Sequence, residues 1–221
     1  MNPILALIAL AVLAGAVVSI SLPDPRATIL GLAVVLIGSP VLAEPVPAPL
    51  GLATRFVGAI LAAYLLWIVT RDRPRGGLPS AFTEGSRIGW PAEMLVGIAA
   101  FIVGYAAHGL GAPALGPALA SAAGFAVAAV AVPAILTGRD VVRVGLGCLL
   151  LLDAGLLVRT ALGGTGGDFE QLITAATLVV LSGTLAALAA GARADGTGGF
   201  AFSLERARHH HEPDAHPLDA R

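Results

Sequence analysis

The chain has 221 residues, of which 57% are hydrophobic and only 12% are charged, and its net charge is −1. A soluble domain carries about a quarter of its residues as Asp, Glu, Lys or Arg, so this chain has too few charges to cover a water-exposed surface. With a mean hydropathy of +0.87, the composition predicts an all-α polytopic membrane protein. It excludes a disordered chain, a coiled coil and a basic nucleic-acid-binding protein. A single cysteine, Cys148, excludes a disulfide-stapled secreted module.

Seven apolar stretches approach the length of about 20 residues that a helix needs to cross a bilayer. In chain order they cover 4–20, 27–43, 51–69, 92–110, 115–136, 141–161 and 169–191. Proline and glycine punctuate the connections, of which the longest runs from Arg71 to Pro91. Pro133 predicts a kink near the end of the fifth stretch. The sequence therefore predicts a bundle of about seven transmembrane helices.

The placement of the arginines predicts the orientation of this bundle. All thirteen basic residues are arginine. If the N-terminus lies outside, eleven of them fall in cytoplasmic segments: Arg26, Arg71, Arg73, Arg75, Arg87, Arg139, Arg143, Arg193, Arg206, Arg208 and Arg221. The other two, Arg55 and Arg159, lie at or inside the outer ends of helices. Because positive residues favour the cytoplasmic side, we expect an N-out, C-in chain. Its first span lacks the positive n-region of a signal peptide and should remain in the mature protein.

The segment 192–221 is polar and is expected to form a solvated, largely disordered cytoplasmic tail. It contains His209, His210, His211 and His216, and imidazole is a ligand for Zn, Ni and Cu. Adjacent histidines do not share one helix face and no cysteine accompanies them, so the solvated tail is favoured over a metal site. The chain also lacks a phosphate-binding glycine loop with a lysine, paired cysteines and a nucleophile elbow. No cofactor, metal or enzymatic activity of its own is predicted.

Small residues recur every four positions in three spans, a pattern that permits close helix packing in lipid. The positions are Ala11, Gly15 and Ser19 in the first span, Gly116, Ala120, Gly124 and Ala128 in the fifth, and Gly183, Ala187 and Gly191 in the seventh. We expect these faces to lie against neighbouring helices.

Ionisable residues inside spans are costly and are therefore candidates for function. Asp153 lies past the middle of the sixth span, and Arg159 follows six residues later on a face about 120° away. The two are therefore not a ready-made pair, and Asp153 is expected to face another helix or a file of water. It has two open interpretations, a proton or ion relay and an interhelical hydrogen bond.

Four further ionisable residues lie near span ends. Arg55 and Glu44 flank the outer ends of the third and second spans and either pair or extend to the interface. Glu93 and His108 bracket the fourth span at opposite ends. His108 has a side chain that titrates near neutral pH, although a histidine at this position more often anchors a helix at the interface. Interfacial anchoring is the favoured interpretation for each of the four.

The last three spans resemble the small three-helix K-type subunit of complex I (NuoK) and its antiporter relative MrpC. Residues 138–143 (GRDVVR) match the basic loop of that family, and 147–154 (GCLLLLDA) match its G-L-E-L-L-L-N-A run. Residues 168–177 (DFEQLITAAT) are similar to the start of its third helix. The predicted orientation also agrees with that of K-type subunits.

The first part of the chain is similar, less specifically, to the J-type subunit NuoJ. Residues 24–27 (DPRA) resemble its N-P-x-x-A segment, and 56–60 (FVGAI) resemble its Y-A-G-A-I segment. In that family the glycine segment forms a π-bulge, which here implies a bulge at Gly58. The resemblance implies a NuoJ-like part at 1–110, with an Arg-rich cytoplasmic loop at 71–91, and a NuoK-like part at 115–191. Such a fusion is the arrangement expected of component E of hydrogenase-4 (HyfE).

The resemblance implies an accessory, non-catalytic membrane subunit of a complex I-like, hydrogenase-like or multisubunit cation/proton antiporter assembly in the bacterial inner membrane. Its partners would be large antiporter-like subunits, other small subunits and the lipid bilayer, with no nucleic acid. Asp153 is the leading candidate for a proton or ion path. Weaker candidates are Arg159, Arg143, Glu93, His108, Arg55 and Glu44.

The chain departs from the K-type pattern at the two glutamates that such subunits carry in their second and third helices. The corresponding residues here are Leu149 and Ser182, and the second-helix asparagine is replaced by Asp153. Either Asp153 supplies the carboxylate, or the subunit connects larger subunits without conducting. Phe56 likewise lacks the tyrosine hydroxyl of the J-type pattern.

Two functions from other classes remain open. A self-contained small transporter would need a binding site of its own, and the seven spans show no obvious repeated half. A membrane anchor for a soluble enzyme would use the Arg71–Arg87 loop as its docking site.

Overall fold

A computed structural model describes residues 3–43, 47–71, 89–109, 116–138 and 141–194. These residues form seven α-helices and contain no β-strand. The helices are α1 (Pro3–Ser21), α2 (Pro25–Gly38), α3 (Pro49–Arg71), α4 (Trp90–Ala106), α5 (Ala118–Thr137), α6 (Val141–Gly163) and α7 (Asp168–Ala194). A 3₁₀ turn, Ser39–Leu42, follows α2 directly. The predicted all-α membrane bundle is confirmed.

Six of the seven predicted spans are long and apolar enough to cross a membrane: α1, α2 with its 3₁₀ turn, α3, α5, α6 and α7. The fourth span was predicted over 92–110, but α4 has 17 residues and ends at Ala106. Gly109 beyond it has a φ of +80°, a left-handed conformation that cannot continue the helix. A 17-residue helix is about 25 Å long, at the lower limit for a span.

Local sequence signals explain several of the helix ends. The Asp24 carboxylate accepts a hydrogen bond from the backbone N–H of Arg26, and Pro25 occupies the first turn of α2. At the end of α6, Gly164 has a φ of +75°, and its N–H donates to the Thr160 carbonyl. The glycine-rich segment 163–167 therefore terminates one helix and leads directly into the next.

Successive helices run in opposite directions. The end of α1 meets the start of α6, because Arg143 donates to the Ile20 carbonyl at 3.1 Å. At the other end of the bundle the end of α6 meets the start of α7, where Arg159 and Glu170 pair. We call this second end the predicted outer end and the first the predicted cytoplasmic end, following the orientation that the arginines favour.

Close backbone approach joins the helices where small residues face one another. A Cβ atom on Gly31 of α2 would lie 2.5 Å from the carbonyl oxygen of Gly15 on α1, so neither helix tolerates a side chain there. A Cβ atom on Gly124 of α5 would lie 3.0 Å from the carbonyl oxygen of Ala154 on α6. The predicted small-residue faces of the first and fifth helices therefore pack at Gly15 and Ser19 and at Ala120 and Gly124, whereas Ala11 of the first stripe is exposed.

The stripe predicted in the seventh helix does not pack in this way. Ala187 and Gly191 are exposed, and nothing lies within 4 Å of a Cβ atom built on Gly191. The buried face of α7 is a different one, which includes Ala175, Leu178, Ser182 and Leu185, and it packs lengthwise against α3. That prediction was wrong because frequent alanine and glycine do not by themselves mark a contact face.

Gly58 marks the closest approach of α3 to α7. A Cβ atom there would lie 2.8 Å from the Ala175 side chain. Helix α3 is a continuous α-helix through this position, so the π-bulge that the resemblance implies at Gly58 is not formed in this structure. The missing side chain allows close packing instead.

Helix α4 is peripheral and docks on α1 and α5 by a narrow stripe. Only Glu93, Gly97 and Gly104 of its residues are buried. A Cβ atom on Gly97 would meet Leu13 of α1 at 2.6 Å. The opposite face of α4 exposes large apolar residues such as Leu95 and Ile102, as expected for a helix that faces lipid or another membrane protein.

Candidate functional site

Asp153 is the most deeply buried charged residue that the structure describes. Its side chain has no solvent-accessible surface, and it lies twelve residues into α6, near the middle of the helix. Neighbours on α6 are apolar, among them Leu149, Leu150 and Ala154, all at most 1% exposed. A carboxylate in such surroundings requires partners on other helices.

Arg55 of α3 supplies the opposite charge. One guanidinium nitrogen, Nη2, lies 3.4 Å from Asp153 Oδ1, and the Arg55 side chain is only 6% exposed. An interfacial anchor was predicted at this position. That interpretation was wrong, because the arginine points into the bundle, where a buried carboxylate compensates its charge. The contact is longer than the 2.7–2.9 Å typical of a charge-assisted hydrogen bond, so the pair is loose.

Ser39, in the 3₁₀ turn after α2, completes the cluster. Its hydroxyl oxygen lies within hydrogen-bond distance of Asp153 Oδ2 and 2.8 Å from the Val35 carbonyl oxygen. A hydroxyl has one proton to donate but can also accept. Ser39 therefore donates to an ionised Asp153, or accepts from a protonated Asp153 while donating to Val35. The contact fits both protonation states of the carboxyl group, and we call Asp153, Arg55 and Ser39 the buried cluster.

An open pocket of about 400 Å³, measured with its mouth, leads from the predicted outer end to this cluster. It lies between the 3₁₀ turn, α3, α6 and α7, and both Ser39 and Arg55 line it. Arg159, Thr160, Glu170, Gln171 and Thr174 supply its other polar groups. These polar groups make the pocket a hydrophilic route from the predicted outer end toward the cluster.

Arg159 does not contact Asp153, as the difference in helix face predicts. Its Nη2 atom instead lies 2.6 Å from Glu170 Oε2 at the start of α7, where the side chains are 49% and 38% exposed. The pair therefore lies at the rim of the pocket and is accessible to solvent.

A second charged cluster lies at the predicted cytoplasmic end. Glu93 of α4 is 4% exposed, lies 3.9 Å from Arg143 of α6, and accepts a hydrogen bond from the Ser21 hydroxyl of α1. Arg143 also donates to the Ile20 carbonyl. An interfacial role was predicted for Glu93, but in the structure its carboxylate is buried and contacts two other helices.

His108 has no recorded contact with either cluster in the described part of the chain. His108 follows α4 at the predicted outer end and is partly buried, and its Nδ1 atom has no hydrogen-bond partner among the described residues. Glu44 lies outside those residues, as do the 72–88 part of the Arg-rich loop, Arg139 and the histidines of the tail. Within the described ranges no group of three or more His, Cys, Asp or Glu side chains could hold a metal ion.

The two positions that correspond to glutamates in K-type subunits are both fully buried. Leu149 and Ser182 have no exposed surface, and the Ser182 hydroxyl has no hydrogen-bond partner within the part of the chain that is described. Neither residue touches the buried cluster through a recorded hydrogen bond. Among the ionisable residues of α6, Asp153 is the one that lies at mid-depth.

Sequence reasoning identified Asp153 but missed Ser39. A serine beside a proline at the end of an apolar stretch resembles an ordinary helix terminus, and nothing in its spacing indicates a partner 114 residues away. Comparison with known proteins adds no further residue, since no family model, curated protein or solved structure matches the chain.

Proposed function

We propose that this chain is an accessory integral-membrane subunit of a complex I-like, energy-converting hydrogenase-like or multisubunit cation/proton antiporter assembly, in which it supports proton or ion translocation and assembly. The observation that carries the proposal is the buried cluster. A carboxyl group at mid-depth in a membrane helix, paired with an arginine on a second helix, is expensive to maintain and is a site for ion or proton handling by default.

The partners of Asp153 suit a group that changes protonation state. Arg55 stabilises the ionised carboxylate, and Ser39 hydrogen-bonds to either form. Arg55 makes one contact of 3.4 Å with the Asp153 carboxyl group, so the two side chains do not form a bidentate ion pair. The pocket above the cluster gives water from the predicted outer end a route toward Arg55 and Ser39.

The exposed apolar faces of the bundle support a role as a subunit. Helix α4 contributes three buried residues and otherwise exposes large side chains such as Leu95 and Ile102. Helices α3 and α7 likewise expose Ile60 and Val180. These faces suit lipid, and they equally suit a large membrane partner of the kind that the resemblance implies.

Co-purification tests the subunit role. The chain, carrying an affinity tag, is isolated from its native membrane in mild detergent, and bound proteins are identified by mass spectrometry. Recovery with a large multi-span antiporter-like protein is the expected result. Recovery as a lone monomer would contradict it, and transport by the purified chain alone in liposomes would favour the self-contained transporter.

Asp153→Asn tests the role of the carboxyl group in the assembled complex. The substitution keeps the size of the side chain and removes its charge, so we expect proton- or sodium-coupled activity to fall at least about tenfold while the subunit still assembles. Gly155→Ala is the matched control on the same helix, because a Cβ atom there meets nothing within 4 Å. Unchanged coupling in Asp153→Asn would leave the cluster a purely structural role.

A further inference from the structure

The pocket at the predicted outer end contains an arginine that the protein does not fully use. Arg55 is 5% exposed, and its Nε atom has no hydrogen-bond partner among the described residues. A guanidinium group has five N–H donors, whereas Arg55 makes one side-chain contact among the described residues, the 3.4 Å approach to Asp153. A buried donor without an acceptor is costly, so a ligand that supplies acceptor oxygens would stabilise this side chain.

A second arginine lines the same pocket. Arg159 extends from α6 at the rim, and its partner Glu170 is 38% exposed. An ion pair at this exposure contributes little to stability, so another anion can replace the carboxylate at small cost. Gln171, Thr160 and Thr174 add further polar groups to the lining. The pocket therefore combines a buried arginine, an exchangeable arginine and neutral hydrogen-bonding groups.

We propose that this pocket is a binding site for an oxyanion, a phosphate-, sulfate- or carboxylate-type group, held between Arg55 and Arg159. Two guanidinium groups that line one pocket suit the planar, bidentate recognition of such groups. The pocket is open at its mouth, so an oxyanion can approach both arginines from the predicted outer end. The site does not depend on the role as a subunit of a larger complex, since it uses the chain's own residues.

The charges around the pocket determine how variants should behave. Arg55 and Arg159 are balanced by Asp153 and Glu170, and Asp168 lies nearby at the start of α7. Helices α1 and α5 contain no ionisable residue, and Arg26 of α2 lies at the opposite end of the bundle. A bound anion therefore competes with Asp153 for Arg55.

Sulfate is the probe for this site because it is fully ionised throughout the neutral pH range. The full-length chain is placed in nanodiscs of phosphatidylcholine, and binding of radiolabelled sulfate is measured by scintillation proximity. We expect saturable binding that Arg159→Gln weakens about tenfold or more, as the loss of a charged hydrogen bond requires. Arg26→Gln, which removes an exposed arginine far from the pocket, should bind as the parent does.

Two variants of the buried cluster give opposite results if the proposal is correct. Asp153→Asn removes the competing carboxylate and should tighten sulfate binding, a gain that a purely structural role does not predict. Arg55→Gln combined with Asp153→Asn removes both charges together, so it avoids an unpaired buried ion, and it should abolish binding. Equal sulfate affinity in these two variants, or absence of saturable binding in the parent, would overturn the proposal.

Nanodiscs that contain phosphatidylglycerol distinguish the two sources of the oxyanion. If the natural ligand is an anionic lipid head group, this lipid displaces sulfate and remains bound to the chain, but not to the Arg55→Gln and Asp153→Asn double variant, in native mass spectrometry. If sulfate affinity is the same with and without phosphatidylglycerol, the ligand is a soluble anion that enters from the predicted outer end.

Discussion

The contact of Gly15 with Gly31 gives a sharp test of how the first two helices are held together. Placing a Cβ atom on Gly31 puts it 2.5 Å from the Gly15 carbonyl oxygen and 2.8 Å from the backbone nitrogen of Ser19. Both neighbours are backbone atoms, so no side chain can rotate away. An ordinary contact begins near 3.4 Å, so α1 and α2 must separate by about 0.9 Å, which forfeits about a quarter to a half of each neighbouring contact.

The magnitude follows from comparing Gly31→Ala with Gly155→Ala. Each variant gains the same helix propensity, about 1 kcal/mol, but Gly155 has open space around its Cβ position. Subtracting one free energy of unfolding from the other cancels that gain and isolates the steric cost. We expect Gly31→Ala to be less stable than Gly155→Ala by about 1–3 kcal/mol, the cost of overpacking a buried contact.

Labelling of Cys148 supplies the assay. This residue is the single cysteine of the chain and is partly buried in α6. The purified protein is titrated with SDS in mixed micelles, and the fraction of thiol that reacts with a maleimide dye reports unfolding. If Gly31→Ala lies within about 0.5 kcal/mol of Gly155→Ala, a range typical of neutral surface changes, the close crossing of α1 and α2 is refuted.

Four further variants are measured in the same titration. Glu93→Ala should destabilise the chain by about 3 kcal/mol because it removes a buried carboxylate that contacts both Ser21 and Arg143, and an unchanged midpoint would show that α4 docks without these contacts. Removing both charges of the Arg159–Glu170 pair should cost less than about 1 kcal/mol because both side chains are exposed; a larger loss would contradict the description of an exchangeable rim. Gly164→Ala should lower the free energy of unfolding by about 1–2 kcal/mol because the φ of Gly164 is +75°. Gly163→Ala is the control and should not lower it, because Gly163 lies in the helix and has free space around its Cβ position. Equal effects of the two substitutions would refute the left-handed cap.

The helices were predictable because their signals are local. Apolar length and the proline and glycine between stretches place six spans to within a few residues. The predicted end of the fourth span was wrong because the turn after Ala106 contains apolar residues. Composition therefore does not mark the point at which the backbone leaves the helix. The prediction that Gly183, Ala187 and Gly191 form a packing face was wrong for a different reason. Sequence spacing identifies residues that share a helix face, but it does not show whether another helix covers that face.

The candidate site was predictable only in part. Asp153 is recognisable because a carboxylate within an apolar run is costly wherever it points. Its partners are not, because Arg55 is 98 residues away and Ser39 is 114 residues away in the sequence. Which helix faces which is decided by packing of the whole bundle, and no periodicity in a single chain encodes it.

The two charged clusters together limit what the chain can do by itself. Asp153 and Arg143 are ten residues apart on α6, about 15 Å along the axis. The residues between them include Leu146, Leu149 and Leu150, all buried. Ser182 of α7 lies at about the same depth as Leu149 of α6, when residues are counted from the predicted outer end of each helix. Its buried hydroxyl has no hydrogen-bond partner in the described part of the chain.

A proton that reaches Asp153 from the pocket therefore meets an apolar layer before it reaches Arg143 and Glu93. Crossing 15 Å of such a layer requires a file of water or a polar route through a neighbouring subunit, because a charge in the hydrocarbon of a bilayer is costly. If the chain works as an accessory subunit, it conducts only in the presence of its partner. Proton flux through the purified chain alone in liposomes, abolished by Asp153→Asn, would contradict this reasoning and would show that the apolar layer fills with water without assistance.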